Sequence, residues 1–320
     1  MTAMLVAVGC SAGGSAASTQ RGSSGGAGAS SSAGATDVLA SGGGGSGGAN
    51  PSAAGGAGGL GGGSAAGAGG ATASGGATGS GAAAGSTSCA TLPLCDDFEG
   101  VPAGSAPDPT KWIPTVLVDC ASTAPAKPTV DDSQHHSGTR SLKITGSAAY
   151  CDYAMVGNAA AFKAIGNVVY GRYYVRFEMA LTDGHVAFMA FPDDSQGGKA
   201  LRMGGQNQAL QWNRQSDDAT LPAQSPVGIA LSKVPPVADW MCLEFMIDQA
   251  QGLISTWVDG VLVAGLVADA TPTPDIDSQW GTSYKPELTS FNIGWQNYGS
   301  GPMNLWFDDV ALSATRIGCN

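Results

Sequence analysis

Short runs in which apolar and polar residues alternate dominate the chain from about residue 140 onward. Alternation at every second position is the mark of a strand with one face buried. Such runs cover Ser141–Thr145, Gly171–Ala180, Val186–Phe191, Ala200–Leu210, Cys242–Asp248, Ile254–Val258, Phe291–Trp295 and Asn304–Leu312, each bounded by Gly, Pro, Asn or Asp. Helical periodicity is nearly absent. Many short strands between turn residues predict an all-β fold, a β-jelly roll or a sandwich of two antiparallel sheets. Asp259-Gly260, between Val258 and Val261, is a strong hairpin signal. Within Gly171–Met179, Tyr173, Val175, Phe177 and Met179 share the expected core face, and Arg172, Tyr174, Arg176 and Glu178 share the other.

The stretch Gly197–Pro222 departs from this pattern in its polar residues. As a strand it would place Arg202, Gly204, Gln206 and Gln208 on one face and Leu201, Met203 and Gly205 on the other. A solvated face favours Lys, Glu and Thr, whereas this stretch gathers Arg, Gln and Asn, followed by Trp212, Asn213, Asp217 and Asp218. Those side chains bind polyols and carboxylates, so the stretch reads as a binding surface. Its glycines leave room for another backbone or for a ligand. The preceding strand opens at His185 and reaches this stretch through the loop Pro192–Lys199.

Composition divides the chain. Residues 11–88 are almost entirely Gly, Ala, Ser and Thr, which cannot bury enough apolar surface to offset their ordering entropy; they read as a disordered, flexible tether. The folded domain is then residues 89–320, about 230 residues, enough for one large core. Arg21 and Asp37 cancel within the tether, so the net charge of −11 falls on the domain and argues against nucleic acid as a partner. Residues 1–10, MTAMLVAVGC, resemble a bacterial lipoprotein signal ending at Cys10, although no Lys or Arg precedes the apolar run and Ala7 stands where Leu is usual. The run is too short to span a bilayer. These features predict an exported monomer, extracellular or an outer-membrane lipoprotein on the cell surface, held to the membrane only through Cys10. Six further cysteines suit three disulfides, expected as Cys89–Cys95, Cys120–Cys151 and Cys242–Cys319. No Cys-x-x-Cys pair occurs, and His135, His136 and His185 do not make a zinc set.

Carboxylates gather near both ends of the domain, in Cys95-Asp96-Asp97-Phe98-Glu99 and in Trp306-Phe307-Asp308-Asp309, and the turn His136-Ser137-Gly138 lies between them in sequence. Such oxygens suit a hard cation, although carboxylates capping strand ends in water would look the same.

The segments HVAFMAFPDDSQGGKALRMGGQNQALQWNRQSDDATLP, STWVDG and WFDDVALSATRIGC resemble the core domain of the fungal cellulose-induced proteins and their bacterial relatives, from about Asp96 to Cys319. The resemblance implies a β-jelly roll similar to glucuronan and alginate lyases, with an open cleft on one sheet. It implies structural Ca²⁺ at Glu99, Ser137 and Asp309, and disulfides Cys120–Cys151 and Cys242–Cys319. Its cleft arginine and histidine match Arg202 and His185, while Ala200 replaces a second histidine.

The implied activity is a polysaccharide lyase directed at uronates. Arg202 with Gln206 or Gln208 would neutralise the substrate carboxylate. His185 is the first candidate base, with Lys199 and Tyr298 behind it. Tyr298 is also a candidate acid or a stacking platform. Gln208, Asn213 and Asp217 would bind substrate, and Trp212 and Trp295 would stack on sugar rings. Asp217 and Asp218 admit glycoside hydrolysis, ranked lower because adjacent residues seldom set carboxylates about 5–10 Å apart across a bond. A non-catalytic carbohydrate-binding module of plant cell-wall or biomass degradation, with the same cleft, is the second reading.

Overall fold

A computed structural model describes residues 89–115, 117, 128–281 and 283–319. The alternating runs form two antiparallel sheets, as their periodicity predicts. The seven-stranded sheet runs, edge to edge, through Ala219–Leu221, Ala209–Arg214, Ala200–Gln206, Val186–Pro192, Phe291–Asn297, Tyr153–Asn158 and Ile113–Thr115. The eight-stranded sheet runs through Val261–Leu262, Leu253–Val258, Trp240–Asp248, Val168–Phe177, Met303–Ser313, Ser141–Gly146 and Thr129–Asp131, with Leu94–Asp96 added along Met303–Ser313.

The inner faces carry the apolar half of each alternation and close on one another. Phe245 of the eight-stranded sheet wedges among Phe191, Trp212 and Phe291 of the other, with ring centroids 5.4, 6.2 and 6.0 Å away. Gly171 stands opposite Phe245 in register, and a Cβ there would run into its ring. Trp212 Nε1 donates to Thr256 Oγ1 at 2.8 Å, a buried bond from one sheet to the other. Each such buried aromatic contributes on the order of 1.5–3 kcal/mol by leaving water.

Cys89–Cys95 and Cys242–Cys319 are bonded as expected. Cys151 is disulfide-bonded, and Cys120, the partner expected for it, lies outside the described residues, as do Cys10 and the tether. The Asp259-Gly260 hairpin forms, with φ of 50° and 79° at its two loop residues.

Three details differ from the sequence reading. Ala200–Leu210 is not one strand; it folds back at Asn207 and Gln208, whose φ values are 51° and 64°, so that Gln206 pairs with Ala209. Two left-handed residues make the tight turn that matches strand twist, and without a glycine the alternation hides it. Met179 lies beyond the end of its strand and is 46% exposed. Two short helices, Ala159–Ile165 and Pro226–Ala230, are capped by Asn158 and Ser225, whose side chains accept from Ala161 N and Gly228 N. Among the described residues no helix is long and apolar enough to cross a membrane.

Candidate functional site

Register assembles the site on the face of the seven-stranded sheet that turns away from the main core. Thr220, Asn213, Arg202, Ala190 and Asn292 stand in one cross-strand row. Arg202 is 2% exposed, and its Nε donates to Asn213 Oδ1 at 3.0 Å, with Nη2 on the same oxygen. Its Nη1 is buried without a hydrogen-bond partner. Burial pushes the guanidinium below its ordinary range, partly offset by Tyr298 and Asp218. Asp218 sits at the mouth with its side chain 85% exposed, Oδ1 3.8 Å from Nη2.

The neighbouring strands deliver two rings. Bulges interrupt the Val186–Pro192 pairing between Ala187 and Met189 and the Phe291–Asn297 pairing between Ile293 and Gln296, and a bulge re-aims the side chains beyond it. Tyr298 N donates to His185 O at 2.9 Å, and the two rings stack at 5.2 Å with 14° between planes. The guanidinium of Arg202 lies over the Tyr298 ring, 4.8 Å from its centroid. His185 Nε2 is buried and has no hydrogen-bond partner. Burial first, and then the charge of Arg202, lower its pKa to about 3, so the ring is neutral at physiological pH. Burial raises the Tyr298 hydroxyl and Arg202 pulls it partway back; Gln296 Nε2 donates to it at 2.6 Å.

These groups line a cavity of about 600 Å³ together with Tyr150, Gln206, Gln215, Thr220 and Gln224. Buried Gln211 links two of these amides: its Nε2 donates to Gln206 Oε1 at 3.2 Å, and Gln224 Nε2 donates to its Oε1. The structure thus brings Arg202, His185, Gln206, Asn213 and Tyr298 together.

It does not bring the other expected residues to them. Trp212 and Trp295 point inward and are 0% and 1% exposed, because strand parity puts them opposite Asn213 and Gln296. Gln208 stands on the turn and donates to Asp183 Oδ1 at 3.2 Å. Lys199 precedes the strand and is not among the cavity's lining residues. Asp217 accepts from Arg214 Nε and Nη2 at 2.8 and 2.5 Å, which holds its carboxyl below the usual range, and it is not among the cavity's lining residues, whereas Asp218 is. The sequence reading missed Tyr150, Gln215, Thr220 and Gln224; all but Tyr150 belong to the two strands beyond Arg202 or the segments bordering them, which only the turn at Asn207-Gln208 folds back alongside it. A small apolar cluster of Leu117, Tyr153, Met155, Ala190 and Ala200 packs beside Tyr298 on this face, so Ala200 is covered by apolar neighbours.

The second cluster lies on the turn before Ser141–Gly146. Glu99 accepts from Thr139 N, Thr139 Oγ1 and Arg140 N at 2.6, 2.8 and 2.7 Å, and these bonds hold its pKa below the usual value. Asp309 Oδ1 accepts from Ser137 Oγ at 2.8 Å, and its Oδ2 is 2.7 Å from His136 Nδ1. Asp308 accepts from His136 N and Ser137 N, and burial, then Asp309, push it up to about 7. Among the described residues no three His, Cys, Asp or Glu side chains converge as a metal cluster. Glu99 and Asp309 nonetheless both bond to this one turn, and with Ser137 they offer only hard oxygens of the kind a cation such as Ca²⁺ takes; at Gly138 a Cβ would collide with Glu99 Oε1, so the glycine lets that carboxylate close on the turn.

The chain matches the "Cip1-like, core domain" family of polysaccharide-lyase-like proteins over residues 102–315. Among solved structures it is similar to "Cellulose induced protein, Cip1", with 37% identity, a TM-score of 0.63, and 71% of this chain and 100% of that chain covered. More distantly it is similar to an endo-β-1,4-glucuronan lyase from the fungus Trichoderma reesei (14% identity, TM-score 0.44, 64% and 94% covered). A β-1,3-glucanase from Mycobacterium marinum stands at a comparable distance (15%, 0.42, 69% and 98%). No curated protein sequence matches.

Proposed function

The chain belongs to the Cip1-like core-domain family, and from that premise we propose that it acts on polysaccharide as a uronate-directed lyase in the Arg202 cavity. One observation carries the reading: an unpartnered donor of a buried arginine, Nη1, stands at the same cavity as an unpartnered nitrogen of a neutral histidine, Nε2. The first suits a carboxylate and the second a proton.

The two groups divide the chemistry between them. The uronate carboxylate accepts from Arg202, which stabilises the negative charge that develops as the α-proton leaves. His185 Nε2 takes that proton, the C–H electron pair becomes the new C=C bond, and the bond to the glycosidic oxygen breaks. The Tyr298 hydroxyl gives the departing oxygen its proton, and the imidazolium returns a proton to the phenolate through solvent. A base at about pKa 3 is weak, but part of that depression comes from Arg202. A carboxylate seated on Arg202 cancels that part and raises the imidazole when substrate is present.

The second reading, a non-catalytic carbohydrate-binding module, is favoured by Ala200, which stands where the resemblance places a second histidine and has no titratable side chain. Ultraviolet absorbance of unsaturated uronate separates the two. The protein is incubated with glucuronan, alginate, pectin and glucuronoxylan, with and without calcium. A rise lost in Arg202→Ala supports the lyase, and His185→Ala should keep binding while losing turnover. Binding with no rise on any substrate leaves the binding module. Calcium is part of the proposal as a structural ion held by Glu99, Ser137 and Asp309, tying the domain's first and last strands together without entering the elimination. Disulfides at Cys89–Cys95 and Cys242–Cys319 suit the export proposed for the protein.

A further inference from the structure

The cavity's charges are few and balanced. Among its described lining residues Arg202 is the one cation and Asp218 the one carboxylate, with His185 neutral. Arg214, the next cation along the sheet, is committed to Asp217 and lies over the rings of Trp280 and Tyr284. Gln206, Asn213, Gln215, Thr220 and Gln224 supply neutral donors and acceptors of the kind that bind sugar hydroxyls. From the strand that leads to Tyr298 to the strand that holds Thr220 the sheet takes four strand spacings, roughly 19 Å, which is longer than a single sugar ring. The protein as a whole carries a formal charge of −11.

Resting on the uronate reading above, we infer that this site takes a single in-chain, 4-linked uronate flanked by neutral sugars, and disfavours consecutive uronates. A polyuronate brings one negative charge with every sugar. The first carboxylate is met by Arg202. The next meets amides that cannot neutralise it, the carboxylate of Asp218, and the field of an acidic protein, all of which oppose a second anion. A neutral neighbour finds hydroxyl partners in the same amides and loses nothing to charge. Asp218 is thereby a specificity-determining residue. It competes weakly for Arg202 from its exposed position and repels any anion bound beside the first.

The test varies charge alone. Glucuronan is compared with the same polymer after most of its carboxylates have been reduced to alcohols, and with cellulose oligosaccharides that have none. Binding to the full-length protein is read by calorimetry at low and high salt, alongside the unsaturated-uronate absorbance. We expect the sparsely charged polymer to bind about tenfold more tightly per uronate than glucuronan at low salt, with the gap closing as salt screens it. Asp218→Asn should narrow the gap about threefold, the size of an exposed charge interaction. Glucuronan bound or cleaved as well as its reduced form overturns the inference and leaves the lyase standing. The expected order of binding with no absorbance rise supports the inference and removes the lyase. Cellulose bound as tightly as the sparsely charged polymer overturns both.

Discussion

Replacing Asn213 by Leu strands the Arg202 guanidinium. Asn213 Oδ1 accepts from both Nε and Nη2, and Nη1 already has no partner. The groups left to it are Tyr298, whose ring face lies at 4.8 Å and whose hydroxyl also hydrogen-bonds the guanidinium, and the solvent-exposed Asp218 at 3.8 Å. A buried charge deprived of its partner costs about 3 kcal/mol. For a domain of this size that is a fall in Tm of about 6–12 °C. Removing both partners, in Arg202→Met with Asn213→Leu, deletes the stranded charge and should recover about 2 kcal/mol or more of the loss. Free glucuronate offers the stranded donors a new acceptor; at 100 times its Kd it would return about 2.7 kcal/mol to Asn213→Leu. Thermal and urea unfolding of the single and double variants, with and without glucuronate, measure all three. A single variant within about 1 kcal/mol of the natural protein, or a double variant no more stable than the single, would refute the view of Arg202 as a buried, under-satisfied cation.

Particular contacts set three further outcomes. His185 has a folded pKa of about 3 against an unfolded value near 6.5, so below about pH 6.5 the unfolded chain binds a proton that the folded domain refuses. Stability from this source is complete above that pH and is lost as pH falls toward 3, at no more than about 1.4 kcal/mol per pH unit; His185→Gln should flatten the urea-unfolding slope between pH 7 and 4, and an unchanged slope would contradict the burial argument. Thr256→Val strands Trp212 Nε1 between the sheets and should cost about 1–3 kcal/mol in urea, whereas a neutral change would mean that a water or another acceptor replaces it. Millimolar calcium should raise Tm, reversibly by chelation, and Glu99→Gln or Asp309→Asn should abolish the effect; a Tm indifferent to calcium in the natural protein counts against the ion.

The fold was legible in the sequence because a buried sheet face imposes alternation, and the runs at Ser141–Thr145, Val186–Phe191 and Cys242–Asp248 sit within strands almost residue for residue. The site was legible where chemistry is unusual in its setting. An arginine, glutamines and asparagine on an alternating stretch mark Arg202, Gln206 and Asn213. It was not legible where direction depends on where a strand ends. Asn207 and Gln208 turn left-handed without a glycine, which removes Gln208 from Arg202's face and starts a new count that sends Trp212 into the core. Parity had the same effect on Trp295. An aromatic residue in a strand advertises its apolar area, and only the register decides whether core or cleft receives it.

The two clusters of charge occupy different sheets, and this separation explains how the fold tolerates Arg202. The eight-stranded sheet carries the devices that hold the chain: the Glu99 and Asp309 turn, the Cys242–Cys319 bond, and buried Glu244, which accepts from Arg316 Nη2 at 2.7 Å and Gly318 N at 2.8 Å. The seven-stranded sheet shares with it the Phe245 ring cluster on one face and exposes the cleft on the other. An under-satisfied cation and a neutral histidine are costly where they stand, since burial disfavours the charged form of each. The cost falls on a face that contributes little to the main core, while the contacts that set stability lie between the sheets and beyond them. On the proposed reading a ligand carboxylate would repair the deficit at Arg202, so the site would be least stable when empty, and the free energy of that repair would be available to orient the sugar against His185 and Tyr298.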